Sequence, residues 1–163
     1  MSNTNKIKVL IVDDSALVRK VLREWINEQD DMEVIAVAAD PYVAVEKMKT
    51  QRPDVITLDI EMPRMNGLTF LRKLMGQQPI PVIIVSSLTK SGSDSAIKAM
   101  EYGAVDVFHK DDIQVTEPAA EKKELLLDGI RAAGIARVKR VAKSEHSEKR
   151  LIQELATAAM TEK

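Results

Sequence analysis

Short apolar runs that stop at reactive side chains limit what this chain can fold into. Ile7–Val12 stops at Asp13-Asp14-Ser15, and Val55-Ile56-Thr57-Leu58 stops at Asp59. Pro81–Val85 stops at Ser86-Ser87, and Val105–Phe108 stops at His109-Lys110. Val34–Val37 is a fifth run of the same kind. Such runs are rich in β-branched residues and nearly continuous, which predicts strands buried on both faces.

Between the runs, apolar residues recur at helical spacing. Ala16, Leu17, Val21, Leu22, Trp25 and Ile26 follow Asp14 and Ser15, either of which can cap a helix. Asp40-Pro41 opens a second helix with Val45 and Met48 predicted inward. Asn66-Gly67 is turn chemistry after Met62-Pro63-Arg64-Met65, and Leu68, Leu71, Leu74 and Met75 mark a third helix. A short helix over 93–101 has Ile97 and Met100 predicted inward, with Gly103 as its stop. Strands alternating with helices predict an α/β fold, a doubly wound, five-stranded parallel sheet.

The remaining chain is predicted helical. Thr116-Glu117-Pro118 is a start signal, and Leu127, Ile130, Gly134, Val138 and Val141 form a stripe. Arg131, Arg137, Lys139, Arg140 and Lys143 form a basic face, read as solvated. The stretch 144–147 predicts a break, and Leu151, Ile152, Leu155 and Ala159 a final helical piece. We therefore expect one domain over 6–142 and a linker or helical tail over 143–163. The apolar residues of the tail have no sheet face left to cover, so a homodimer through the C-terminal helix is a further expectation.

The 24 Lys+Arg and 25 Asp+Glu leave a formal net charge of −1, which gives no pull toward nucleic acid or an anionic membrane. Cysteine is absent, which removes thiolate metal sites and cysteine nucleophiles. No segment has the length of a membrane span and the polar start does not resemble a signal peptide, so a cytoplasmic protein is expected.

In a doubly wound sheet, ligands bind beyond the carboxyl ends of the strands. That edge collects Asp13, Asp14, Asp59, Ser86 and Lys110. Taken singly, these residues read as a helix cap, a solvated carboxylate, a turn hydroxyl and a surface lysine. Together, at separate strand ends, they form a convergent site. Three carboxylates that close repel one another unless a cation sits among them, and carboxylate-plus-water sites suit Mg²⁺. Asp59 is then placed to attack a phosphoryl group. Lys110 and the metal would neutralise the transferring oxygens, and the Ser86 hydroxyl would donate to one of them. Asp13 and Asp14 would hold the metal, with the backbone carbonyl of Glu61 as a further ligand.

Val-Asp-Asp-Ser at 12–15, Leu-Asp-Ile-Glu-Met-Pro at 58–63, Asn-Gly-Leu at 66–68, Val-Ser-Ser at 85–87, Gly-Ala-Val-Asp at 103–106 and Lys110 together resemble the receiver domain of bacterial response regulators. The resemblance covers roughly residues 6 to 140. It implies the flavodoxin-like strand order 2-1-3-4-5. It also implies Asp59 as phosphoacceptor, Asp13 and Asp14 as metal-binding acids, Ser86 at the family's hydroxyl position and Lys110 as its lysine. The implied phosphodonor is a histidine kinase.

Asp-Asp-Ser-Ala-Leu-Val-Arg at 13–19, Asp-Pro-Tyr-Val-Ala at 40–44, Glu-Met-Pro-Arg-Met-Asn-Gly-Leu-Thr-Phe-Leu at 61–71 and Val-Ser-Ser-Leu-Thr at 85–89 are similar to the receiver half of the chemotaxis protein-glutamate methylesterase. That resemblance implies a chemotaxis-type kinase, chemoreceptors and an output esterase domain as partners. No Gly-x-Ser-x-Gly-like turn follows residue 103, so the expectation is either a regulatory fragment reaching into the linker or a stand-alone receiver. The stand-alone form would act through protein–protein interaction or as a phosphate sink. A phosphatase with Asp59 as nucleophile and Glu61 as general acid is the rival enzymatic reading.

Two departures stand out. The family carries an aromatic three residues before the lysine, where this chain has Val107 with Phe108 beside it. The family follows the lysine with proline, where this chain has Asp111-Asp112. Either the switch is altered or strand five is shifted by one residue, which would turn Phe108 to the other face.

Overall fold

A computed structural model describes residues 6–62, 66–87, 90–114 and 120–161. The turn residues Pro63, Arg64 and Met65 and the start signal Thr116-Glu117-Pro118 lie outside them. So do the side chains of Val138, Lys139, Arg140, Val141, Lys143, Leu151 and Ala159.

The elements are β1 (Ile7–Val12), α1 (Ala16–Asn27), β2 (Met32–Ala38), α2 (Pro41–Thr50), β3 (Val55–Asp59) and α3 (Gly67–Gln77). They continue with β4 (Val82–Ser86), α4 (Lys90–Glu101), β5 (Asp106–His109), α5 (Asp111–Gln114) and α6 (Ala120–Thr161). All strand pairs are parallel and the order is β2-β1-β3-β4-β5, the order the resemblance implies. Starts follow side-chain chemistry. Ser15 accepts from the Val18 N–H, Asp40 from Val43 and Asn66 from Leu68, each satisfying an orphan donor of the first turn.

Alternation along each strand splits the core into two layers. Leu10, Val12, Ile56, Leu58, Val82 and Ile84 face α2, α3 and α4 through Ala44, Phe70, Leu71, Ala96 and Ala99. Val9, Ile11, Val55, Ile83 and Val85 face α1 and α6 through Val18, Leu22, Ile26, Leu126, Leu127 and Ile130. Each fully buried Leu or Ile contributes about 1.5–3 kcal/mol. The central strands thus hold the edge on which the acids stand.

Several expectations about facing are corrected. In α4, Ile97 is 61% exposed and Met100 is also exposed, while Ala96 and Ala99 are buried. In α2, Ala44 is buried and Val45 exposed; in α1, Val18 is buried and Leu17 exposed. Small residues let these helices lie close to the sheet, which pushes the larger neighbours outward. Strand five begins at Asp106 rather than Val105, and α5 was not foreseen. The break predicted at 144–147 does not occur: α6 is one helix of 42 residues. Neither proline nor glycine stands after Gly134, and serine or histidine costs a helix only tenths of a kcal/mol. Arg131 is not simply solvated; its guanidinium bonds Asp31 and Asp128 and ties α6 to the loop after α1.

Candidate functional site

β1, β3 and β4 end at one edge, and the turn after β5 reaches the same place. Asp13 closes β1 and is 1% exposed; Asp59 closes β3 and is 2% exposed. Carboxylate oxygens of Asp13, Asp14 and Asp59 all lie within 4.8 Å of one another. Lys110 enters between them. Its Nζ is 3.0 Å from Asp59 Oδ2, 3.1 Å from Asp13 Oδ1 and 3.8 Å from Asp14 Oδ1. Ser86 joins the site through its backbone: its carbonyl accepts from the Lys110 N–H at 2.7 Å, which fixes the lysine's turn against β4.

The turns are held from several sides. Asp13 Oδ1 accepts from Ser15 N at 2.8 Å, and Asp59 Oδ1 from Glu61 N at 3.0 Å. The Asp13 N–H donates to the Ala38 carbonyl. Arg19 Nη1 donates to the Asp13 carbonyl at 2.7 Å, a role the sequence reading missed. Its only sequence signal is a cation six residues past the acid, one helical turn into α1. Arg19→Ala is expected to cost about 1–2 kcal/mol in urea unfolding, since a carbonyl loses a charged donor. Arg19→Lys should recover part of the loss, and an unchanged midpoint in Arg19→Ala would refute this role.

Electrostatics follow from crowding. Burial pushes the Asp59 carboxyl up to about 7, and the Asp13 charge adds to the rise, against the Glu61 N–H and Lys110. Burial likewise raises Asp13, against its hydrogen bond from Ser15 and the charge of Lys110. For Lys110, burial alone would lower the pKa; the Asp13 charge and the bond to Asp59 outweigh it, and the ammonium is held above its usual range. The one ammonium leaves Asp13 Oδ2 buried with no hydrogen-bond partner, and the Ser86 and Thr57 hydroxyl oxygens likewise. A buried carboxylate oxygen without a partner is costly, so the donor set fits a divalent cation. Glu61 turns its carboxylate to the Ser87 hydroxyl at 3.2 Å, while its N–H serves Asp59.

This fold and edge are those of a known family: residues 9–117 match the response regulator receiver domain. The chain belongs to the response regulator receiver family. This receiver is 50% identical over 136 residues to a protein-glutamate methylesterase/protein-glutamine glutaminase of Geobacter metallireducens, covering 83% of this chain and 38% of that protein. The receiver therefore spans about two-fifths of the length of the curated relatives it matches. Among solved structures it is similar to the response regulator domain of Thermotoga maritima CheB. That match has a TM-score of 0.69 and 44% identity, over 79% of this chain and 96% of that one. It also resembles a chain of the complex between the P1 domain of CheA3 and CheY6 from R. sphaeroides. There the TM-score is 0.64 and the identity 33%, over 79% and 97% of the two chains. No helix among the described residues is long and apolar enough to cross a membrane.

Proposed function

We propose that Asp59 accepts a phosphoryl group from a chemotaxis-type histidine kinase, and that this receiver is the regulatory part of a protein-glutamate methylesterase. The observation that carries it is a single ammonium locked among three carboxylates, with Asp13 Oδ2 left unsatisfied. Such a pocket is built for more positive charge than Lys110 alone supplies. Mg²⁺ is the fitting ion, held by Asp13, Asp14, Asp59 and the Glu61 carbonyl. When bound, it supplies charge neutralisation at the oxygens of the transferring group.

The chain's own residues do the rest. The Glu61 N–H orients the Asp59 carboxylate through Oδ1. Transfer forms an O–P bond to Asp59 and breaks the P–N bond to the kinase histidine. Lys110 moves from paired carboxylate to phosphoryl oxygen, and the unpartnered Ser86 hydroxyl donates to another. The complex of the P1 domain of CheA3 with CheY6, which holds a similar fold, supports a kinase phosphodonor.

The output surface is the face of α4, β5 and α6, where Ile97 and Met100 of α4 and Val105, just before β5, are exposed. It is the face an esterase domain would cover, with chemoreceptors as that domain's substrates. In this reading the receiver domain extends over 6–142, and 143–163 is a linker or helical tail. A reading as a protein-interaction module has its own support: Ile152 and Leu155 are exposed on the continuous helix, a surface for a second copy of the chain.

The test is intact mass after incubation with Mg²⁺ and acetyl phosphate. The parent gains one base-labile phosphoryl adduct and Asp59→Asn gains none. An adduct surviving on Asp59→Asn would sink the assignment; none on the parent would leave the interaction module in front.

A further inference from the structure

α2 meets the sheet through small residues. Its buried positions are Pro41 and Ala44, and its larger side chains line an open groove of about 540 Å³ between it and α3. Tyr42, Val45 and Met48 form one wall, and Phe70 and Leu74 of α3 the other. Tyr42 and Val45 are exposed, and grouped apolar side chains on a surface mark a place where another surface sits. The polar rim holds Glu46, Lys49 and Lys73, with Gln77 and Gln78 at the end of α3. Glu46 is bonded to Lys49 at 2.8 Å, so the net charge of the rim is that of Lys73.

The same chain carries a matching apolar face. Ile152 and Leu155, near the end of α6, are exposed and, three residues apart, share one side of the helix. Glu154 beside them is the one charged residue of 151–161. An apolar pair flanked by a negative charge complements an apolar groove with a positive rim.

Geometry excludes the chain's own groove. α6 packs with α1 in one layer, whereas α2 and α3 belong to the other. α6 is one helix to Thr161, so it does not turn back around the sheet. A Cβ on Gly134 would meet Ile7 at the start of β1, so α6 leaves the domain at the edge where the strands begin. Ile152 stands about 27 Å beyond Gly134 at 1.5 Å per residue. The groove opens at that same edge, because Lys49 and Gln77 lie in the last turns of α2 and α3, which run back from the strand ends. Two copies set edge to edge can each lay the end of α6 into the other's groove. Such an exchange has two-fold symmetry, and its two contacts are alike.

We infer that the groove between α2 and α3 receives the end of α6 from a second copy of this chain, with Ile152 and Leu155 against Val45, Phe70 and Leu74 and with Glu154 toward Lys73. The inference rests on the second-copy reading of Ile152 and Leu155 above, and it names the surface that receives them.

Sedimentation equilibrium of the full chain tests it, with Val45→Asp spoiling the groove and Leu155→Asp the tail. Both positions are exposed, so both variants should keep the fold, which circular dichroism checks. The parent should form a concentration-dependent dimer, and each variant alone should associate at least about tenfold more weakly. The two variants mixed should associate more tightly than either alone, because the tail of the first still meets an intact groove on the second. A parent that stays monomeric at millimolar concentration overturns the inference and the second-copy reading together. A Val45→Asp variant that dimerises like the parent overturns the groove alone and leaves the second-copy reading standing. A mixture no tighter than its components also overturns the groove.

Discussion

Lys110→Met is expected to cost the metal-free protein about 3 kcal/mol near pH 8, and much less near pH 5. The loss arises because Asp13 and Asp59, 1% and 2% exposed, would keep their charges with no cation between them. Removing one member of a buried pair leaves an uncompensated charge, which costs more than the pair itself contributed. The escape is protonation. Both carboxyls already titrate above their ordinary value of 3.8 in the folded chain, Asp59 at about 7. Between about pH 4 and pH 7 the folded chain therefore binds more protons than the unfolded one, and stability from these groups falls as pH rises through that window. Without Lys110 the fall steepens, so the difference between variant and parent widens with pH. Urea unfolding at both pH values, without metal, measures it; an equal loss at the two would mean that Lys110 acts by packing alone. Mg²⁺ should stabilise the parent more at the higher pH, because it binds the ionised acids.

The second large effect is expected at Gly67. A Cβ there would come within 2.5 Å of Ile60 Cα and 2.8 Å of the Asp59 carbonyl oxygen. Both are backbone atoms, so no rotamer change relieves the clash. α3 would have to back away from the end of β3, weakening the Gly67 N–H to Ile60 carbonyl bond at 3.3 Å. Gly67→Ala should lose about 2–3 kcal/mol. Because the same carbonyl belongs to Asp59, phosphoryl labelling should slow by about tenfold or more, misplacement of a nucleophile by an ångström being costly. Gly76→Ala is the internal comparison. It is exposed in the same helix with nothing within 4 Å of the added methyl, and should gain about 0.5–1 kcal/mol. A Gly67→Ala variant with parent stability and parent labelling would show that the loop yields without cost.

What was legible in the sequence is what chemistry fixes locally. Asp40, and Ser15 beside Asp14, mark helix starts because a side-chain acceptor must meet an orphan N–H; Asn66, read as a turn residue, turns out to cap α3 in the same way. Asp13, Asp59, Ser86 and Lys110 are brought to one edge because parallel strands all present their carboxyl ends there. What was not legible depends on distances between elements. Ala96 and Ala99 lie inside while Ile97 and Met100 lie outside, which periodicity alone cannot decide when small and large apolar residues alternate. Val107 and Phe108 differ by one residue, and a period of two assigns faces only once the register is known. Arg19 was missed because its partner is a backbone carbonyl, which no residue pattern advertises.

The unbroken length of α6 has a mechanical consequence. From Gly129 to Thr161 the helix advances about 48 Å at 1.5 Å per residue. With no proline or glycine after Gly134 to absorb bending, it behaves as a stiff rod. Each degree of tilt at Gly129 would then swing the far end by about 0.8 Å. A displacement too small to rearrange the receiver's own core is magnified into one that a neighbouring body would feel at arm's length.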